Sequence, residues 1–216
     1  MERLSRKESQ ELTRRRLRDV ARKEFVRSGV AGASIDRISN EAGYSKGAFY
    51  SNYRAKRDLA LEILTESCEE EIAAWESIIC ARSDIGALAP VLAQRFDSFA
   101  ADRERWLISS ELRMEAVRDP VFSVSFREES ARVLASLEAM IARLCAALGH
   151  EGEVDAAYIT ATVHALAYGL AGDPEGYAAF YGAPPGAILV RALLDLAGGK
   201  GQRPPAQHGA SEDQHV

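Results

Sequence analysis

Apolar residues recur at helical spacing along almost the whole chain, and no segment alternates β-branched and polar residues as a strand would. Ala, Leu, Glu and Arg, which favour helices, are abundant. Ser5 and Glu8 have the spacing of a capping box, which marks a helix start. That helix should end at Ser28-Gly29. Its single apolar stripe consists of Leu17, Val20, Ala21 and Phe25.

Two short helical segments follow, each preceded by a serine that could cap it. Ser34 precedes a segment that ends at Gly43, and Ser45 precedes one that reaches about Asn52. A long helix should run from about 55 to 80. Glycines, prolines and aspartates then separate further helical segments. We predict these at 87–101, 104–117, 121–148, 153–171 and 184–198, with a short helix or turn at 174–181.

These elements predict an all-α fold with a compact head and a larger body. We assign residues 1–54 to a three-helix head with a helix-turn-helix, and residues 55–198 to a helical body. Residues 199–216 are rich in Gly, Pro, Gln and His and have no apolar period, so we expect a disordered tail.

Composition narrows the class of protein. The chain has 216 residues, 47% of them hydrophobic, and a net charge of −5. Its three cysteines, Cys68, Cys80 and Cys145, are widely spaced, as expected of free thiols in a reducing compartment. The longest uncharged run, 156–172, is shorter than the roughly 20 apolar residues that span a bilayer. The charged N-terminus lacks the apolar core of a secretory signal. We therefore expect a cytoplasmic protein without a membrane segment.

The distribution of charge is more informative than its sum. Residues 1–60 contain 15 Lys and Arg against 8 Asp and Glu, whereas the remaining residues contain 12 against 24. A basic head on an acidic body suggests a module that binds a polyanion. The alternative is an uneven surface charge without a partner.

The segment from 34 to 59 carries the most specific signal. Two short helices joined by a tight turn at Gly43 form a helix-turn-helix pattern, whose second helix enters the DNA major groove. That helix begins with Ser45-Lys46-Gly47-Ala48, which is small, polar and positively charged. Such a start permits close approach to a base edge or a phosphate.

The stretch from Ala21 to Leu59 resembles the DNA-binding domain of the tetracycline-repressor (TetR) family. The resemblance covers the head, while the body is similar only in length and helical layout. The matching positions are Ala21-Arg22, Phe25, Gly29, Ser34-Ile35, Ile38-Ser39, Ala42-Gly43, Ser45-Lys46-Gly47, Phe49-Tyr50, Tyr53, Lys56 and Leu59.

The resemblance implies roles for individual head residues. Lys46, with Gly47 and Ala48, would face the groove and read bases, while Ser51 and Asn52 would contact backbone or bases. Tyr44 departs from the family's small aliphatic residue and would pack on the head or reach a phosphate. The expected phosphate contacts are Ser34, Arg37, Tyr50 and Lys56, and Ser45 completes the DNA-binding set.

Several head residues have a second interpretation. Tyr50 and Tyr53 could be core aromatics, and the run from Arg14 to Arg16 could be a solvated face or an arm that reaches a groove. Asp36 would be repelled by DNA, so we expect it to serve the dipole of its helix.

Helix-turn-helix proteins bind paired half-sites as dimers, so the body should supply a two-fold interface. The last long helices carry regular apolar seams, which could form a four-helix bundle between two subunits, as in the family, or belong to the core of one chain. The seam residues are Ile159, Val163, Leu166, Leu170, Leu189, Leu193 and Leu196.

The middle helices carry bulky side chains that form either ordinary core or, as the family implies, a pocket for a lipophilic or amphipathic inducer. Arg95, Ser109 and Glu111 are further polar candidates for orienting a ligand. His164 suits a core or interface position equally well. The predicted pocket residues are Trp75, Phe96, Phe99, Trp106, Ser110, Arg113, Met114, Phe122, Phe126 and His164.

The function implied is a DNA-binding regulator that acts as a homodimer on a palindromic operator and is released by a small molecule. A repressor is favoured over an activator or a ligand-independent regulator only by family habit. No motif for metal ligation, phosphate binding or nucleophilic catalysis is present, so we predict no cofactor, no metal and no enzymatic activity. Remote alternatives are a helical adaptor and an enzyme that uses Glu111, Glu115 and His164.

Overall fold

A computed structural model describes residues 5–81, 85–150 and 154–200, and this part of the chain consists of helices and connecting turns, without strands. The order of helices agrees with the predicted all-α fold. A π-helical turn, Leu196–Lys200, follows the last of them. The helices are α1 (Arg6–Gly32), α2 (Ile35–Glu41), α3 (Lys46–Tyr50), α4 (Lys56–Cys80), α5 (Ile85–Ala100), α6 (Arg103–Arg118), α7 (Pro120–Ala147), α8 (Ala156–Gly172), α9 (Pro174–Tyr181) and α10 (Pro185–Asp195).

The helix starts of the head follow from local side-chain chemistry. The Ser5 hydroxyl accepts the Glu8 amide at 3.2 Å and the Glu8 carboxylate accepts the Ser5 amide at 2.7 Å, so the predicted capping box is confirmed. Ser34 and Ser45 cap α2 and α3 in the same way, each accepting an amide three residues ahead.

Helix α1 contains a break where the sequence predicts its end. Gly29 has a φ of 69°, outside the helical range, and one further turn follows it to Gly32. Any other residue at this position would have a strained backbone conformation. Its Cβ atom would also lie 2.6 Å from the Glu111 carboxylate. The break therefore requires glycine and leaves room for a side chain from α6.

Head and body share one apolar core. Phe25, Phe49 and Leu59 are buried together with Leu112 of α6 and Phe122 of α7. Helix α1 packs against both α4 and α6. The predicted boundary at residue 54 therefore runs through a continuous apolar core. A movement of α6 would change the packing of the head.

The second core fills the far end of the body, where α5, α7, α8 and α10 meet. Helices α5 and α10 approach closely because Gly186 lies against the Ala93 carbonyl, where a Cβ atom would clash. The Gly186 amide also donates to Asp97 Oδ1 at 2.7 Å. The first amides of a helix have no carbonyl partner within that helix, and Asp97 supplies an acceptor for one of them at the start of α10.

The predicted subunit seam needs correction, because most of it lies inside one chain. Its buried members are at most 4% exposed and pack in the second core, so they have no surface left for a partner, whereas Leu166 and Leu196 are half-buried. The five buried members are Ile159, Val163, Leu170, Leu189 and Leu193.

Two remaining predictions concern the C-terminal tail and membrane-spanning helices. The predicted tail begins in the turn that ends at Lys200, and residues 201–216 lie outside the described residues. Within the described ranges, every helix is too short or too polar to cross a bilayer.

Candidate DNA-binding and ligand sites

The turn between α2 and α3 presents the start of α3 to solvent. Gly43 has a φ of 79°, which turns the chain back, and the Tyr44 amide donates to the Ser39 carbonyl at 2.9 Å. Phe49 is fully buried and anchors α3. Ser45, Lys46 and Gly47 are exposed at the opposite end. Of the three predicted groove-facing residues, Lys46 and Gly47 are therefore accessible, whereas Ala48 is half-buried.

Lys46 is paired with an acidic residue across the helix-turn-helix. Its ammonium lies 3.1 Å from both Asp36 oxygens, and both side chains are more than half exposed. The hydrogen bond to Asp36 and its negative charge raise the pKa of Lys46. Asp36 stands in the first turn of α2, as its expected dipole role requires, and it also lies next to the expected base-reading cation.

The residues expected to contact phosphates differ in their solvent exposure and in their partners within the protein. Tyr50 is half exposed, and Arg37 is exposed but lies 3.6 Å from Glu24. The Lys56 ammonium donates to the Ala33 carbonyl at 3.0 Å and to the Ala31 carbonyl. Lys56 therefore holds the last turn of α1 and the residue that follows it, rather than standing free at the surface.

The remaining predicted contacts are partly committed to the head itself. Tyr44 is half-buried against the head core. The Ser51 hydroxyl donates to the Gly47 carbonyl at 2.9 Å, and Asn52 Nδ2 donates to the Ala48 carbonyl at 2.8 Å. The Asn52 Oδ1 atom is buried and has no hydrogen-bond partner among the described residues. Ser34 is occupied by its cap, since its hydroxyl accepts the Arg37 amide.

Part of the positive charge of the head is paired with glutamates of α4. Arg14 and Arg18 form ion pairs with Glu62 of α4, and Arg18 also lies 3.1 Å from Glu66. Tyr53 is buried and donates to Glu62 at 3.1 Å, with the Arg14 guanidinium 4.9 Å from its ring centre. Burial, together with the charge of Glu62, raises the pKa of this phenol. Tyr53 and Arg14 therefore join α1 to α4, while Arg15 and Arg16 remain on the exposed face.

A carboxylate from the body binds the head at the break in α1. The Glu111 Oε2 atom accepts the Val30 amide at 2.6 Å and the Ala31 amide at 3.2 Å. Both amides directly follow the break at Gly29, and the first amides of a helical segment have no carbonyl partner within it. Glu111 had been a candidate for orienting a ligand, and the structure assigns it instead to the contact between α6 and α1.

A second contact fixes the start of α4 to the junction between α6 and α7. Arg57 Nη1 lies 2.5 Å from Asp119 Oδ2 and 3.0 Å from Glu115 Oε1. Its guanidinium stands 4.9 Å from the centre of the Phe122 ring. The Asp119 hydrogen bond raises the pKa of Arg57. The Glu111 contact thus joins α6 to α1, and the Arg57 contact joins the start of α4 to the end of α6 and the start of α7.

The body contains a cavity of about 470 Å³ enclosed mainly by α4, α5, α6, α7 and α8. Most of the predicted pocket residues line it. Three do not. Met114 is half exposed on the outer face of α6, Phe122 belongs to the core shared with the head, and Ser110 bonds Tyr168. The lining members of the predicted set are Trp75, Phe96, Phe99, Trp106, Arg113, Phe126 and His164.

Several polar lining residues are not among the predicted pocket residues, and a helical signal existed for two of them, Arg105 and Tyr168. Arg105 stands two turns before Arg113 on α6, and Tyr168 stands one turn after His164 on α8, so each shares a helix face with a predicted residue. The described residues contain no group of His, Cys, Asp and Glu that could hold a metal ion.

Similarity to known proteins agrees with this geometry. The profile of the family described as "Bacterial regulatory proteins, tetR family" matches residues 17–63. The chain is 31% identical over 110 residues to the HTH-type transcriptional regulator AcrR of Shigella flexneri, covering 50% of this chain and 51% of that protein. It is 29% identical over 126 residues to the HTH-type transcriptional repressor Rv1474c of Mycobacterium tuberculosis, covering 57% and 61%. The matched region thus spans about half to three-fifths of these curated relatives.

The whole fold also has solved counterparts. The regulator FadR of Bacillus subtilis, solved in complex with stearoyl-CoA, superposes with a TM-score of 0.62 at 17% identity, covering 86% of this chain and 98% of that one. At this identity the likeness concerns the fold alone.

The short α2, the turn at Gly43 and the exposed start of α3 define a helix-turn-helix protein. Residues 17–63, which match the profile of the TetR family of bacterial regulators, contain this helix-turn-helix, and the two relatives are themselves named as HTH-type regulators. Both relatives are named as transcriptional regulators.

Proposed function

We propose that the protein regulates transcription by binding a palindromic operator with α3 in the major groove. The observation that carries the proposal is the exposed start of α3, where Lys46 and Gly47 project from an anchored helix. A protein of this kind works where the chromosome lies, in the bacterial cytoplasm. Lys46 would leave Asp36 and contact a base edge or phosphate.

The experiment is capture of genomic DNA by the full chain, followed by titration of the recovered duplex. Lys46→Ala should cost about 1–3 kcal/mol of binding to the recovered site and should relax sequence preference. Lys23→Ala is the control, because it removes an exposed head cation from α1, outside the helix-turn-helix. Equal affinity of the unaltered protein for the recovered site and a scrambled duplex would refute the proposal.

We further propose that a small molecule in the body cavity releases the DNA, which makes the protein a repressor. The support is the cavity itself, the Glu111 contact that joins its wall to the head, and the name of the Mycobacterium tuberculosis relative. A protein of the same fold, FadR of Bacillus subtilis, was solved in complex with a small molecule, stearoyl-CoA. A ligand that prefers the DNA-free conformation about 100-fold supplies about 2.7 kcal/mol of coupling. An unchanged operator affinity at saturating ligand would exclude release.

We propose that dimerisation uses the outward face of α8 in place of the buried seam. Ala157, Ala161, Ala165 and Gly169 are exposed at four-residue intervals, so they lie on one face and permit close helix packing. Next to α8, α9 exposes the large side chain of Phe180.

The mass of the particle in solution tests this interface. Ala161→Glu should shift a dimer to a monomer, because it places a charge in the contact without touching the core of one chain. Ala139→Glu, an exposed alanine on α7, should leave the mass unchanged. A dimer that survives Ala161→Glu unchanged would place the interface elsewhere.

A further inference from the structure

The body cavity has an unequal distribution of hydrogen-bonding groups on its wall. Four buried side-chain atoms of lining residues have no hydrogen-bond partner within the described chain, and all four are donors. They are Trp75 Nε1, Arg105 Nη1, Trp106 Nε1 and Arg113 Nε. Unpartnered buried donors are costly, so the wall favours a ligand that brings acceptors.

The charges on the wall are also unequal. Glu71 pairs with Arg95 and Arg105, Asp102 pairs with Arg105, and Glu129 pairs with Arg132. Each of these lining carboxylates therefore already has a cationic partner in the protein.

The three arginines of the wall differ in their partners. Arg105 has ion pairs, whereas Arg127 is exposed and donates to the Ser123 carbonyl. No ion pair of the described residues includes Arg113, and its guanidinium lies 4.2 Å from the centre of the Tyr168 ring and 6.0 Å from that of Phe126. Contact with a ring face holds the guanidinium plane while leaving its N–H groups available at the edge. An arginine held in this way matches the two oxygens of a carboxylate.

The neighbouring histidine fits the same ligand. Burial, and secondly the charge of Arg113, lower the pKa of His164, which keeps the imidazole neutral near neutral pH. A neutral imidazole can donate one further hydrogen bond without adding charge. The rest of the wall is apolar and includes Phe96, Phe99, Leu134 and Leu137.

We propose that the cavity takes an organic anion, a carboxylate joined to an apolar body, with the carboxylate on Arg113 and the apolar body among the phenylalanine and leucine side chains. This inference rests on the proposed ligand response and specifies its ligand class. The Arg113 guanidinium and the unpartnered donors recognise the anion. Glu71, Asp102 and Glu129 are each in an ion pair with an arginine, so these lining carboxylates do not attract a cationic ligand.

The test compares three probes that differ only in the head group: octanoate, octanol and octylammonium. Both tryptophans of the chain, Trp75 and Trp106, line the cavity, so intrinsic fluorescence of the full-length protein reports its occupancy. Octanoate should bind about tenfold more tightly than octanol, and octylammonium should bind most weakly.

Variants then assign the effect to one side chain. Arg113→Gln should abolish the preference for octanoate over octanol, and Arg113→Lys should retain part of it because the charge remains. Arg118→Gln, at the exposed end of the same helix, is the matched control and should keep the preference. The wild-type series stands on its own if Arg113→Gln does not fold.

Three results overturn the inference: octanol or octylammonium binding as tightly as octanoate, a preference that persists in Arg113→Gln, or no response to octanoate, decanoate and dodecanoate. Operator titrations with the same probes separate it from the proposed function. Arg113-dependent binding of octanoate without DNA release refutes the ligand response alone. DNA release by a neutral or cationic probe bound in the cavity refutes the anion preference alone.

Discussion

The contact between Glu111 and the break in α1 predicts how a change in the body reaches the head. Glu111 faces α1, whereas Arg113, two residues along α6, lines the cavity. Residues two apart project from nearly opposite sides of a helix. A rotation of α6 around a bound ligand therefore pulls on the Val30 and Ala31 amides. We expect Glu111→Gln to weaken this link and Glu111→Ala to remove it.

The magnitude follows from the two hydrogen bonds. The 2.6 Å bond from the part-buried Val30 amide to a charged oxygen should contribute about 2 kcal/mol, and the longer, exposed bond from Ala31 about 0.5 kcal/mol. Glu111→Ala should therefore lower the free energy of unfolding by about 2.5 kcal/mol. Glu111→Gln keeps an acceptor and should cost about 1 kcal/mol, or about 2–4 °C in melting temperature.

Urea denaturation measures the stability, and operator titration with and without ligand measures the coupling. Glu138→Gln is the control, because it makes the same change at an exposed glutamate of α7. Both Glu111 variants should bind operator but respond less to ligand than the control. If Glu111→Ala matched the control in stability and in release of DNA, the contact would carry neither packing energy nor signal.

Three further predictions follow from single contacts. Asp36→Asn should raise affinity for any duplex several-fold at low salt, because it removes a negative charge beside Lys46; an unchanged affinity in a salt titration would contradict this. Lys56→Met should lower the melting temperature as well as DNA binding, since its ammonium bonds the Ala31 and Ala33 carbonyls; loss of binding alone would assign it purely to phosphate. Because the pKa of His164 is lowered in the folded protein, the unfolded chain takes up a proton at a higher pH than the folded protein does. The free energy of unfolding should therefore fall as the pH drops below about 6.5. His164→Gln should reduce this pH dependence in denaturation curves.

Local chemistry made the head predictable. Ser34 and Ser45 cap helices through atoms three residues away, and Gly43 turns the chain where a positive φ is needed. These signals lie within a few residues of the structures they produce. The family resemblance added the role of Lys46, which spacing alone does not contain.

Long-range packing was harder to predict. The periodicity of α8 identifies Val163 and Ile159 as an apolar face, but it does not say whether that face meets the same chain or a second one. The exposed alanines on the other side carry a weak hydrophobic signal, so periodicity does not mark them as an interface. Small residues mark a close helix contact only when the fold shows them uncovered.

The cavity was predicted only in part for the same reason. Phe96 and Phe122 look equivalent along the sequence, yet one faces the cavity and the other lies below Arg57 in the shared core. The partner of Glu111 is a pair of backbone amides about 80 positions away, and no side-chain pattern encodes such a partner.

That last contact bears on how such regulators could be recombined. Glu111 binds main-chain N–H groups, so the identity of residues 30 and 31 does not enter the bond, and only the glycine break before them is required. A foreign head with a glycine at this position would offer the same two donors to this body. Grafted heads should therefore inherit the ligand response of the body while bringing their own operator.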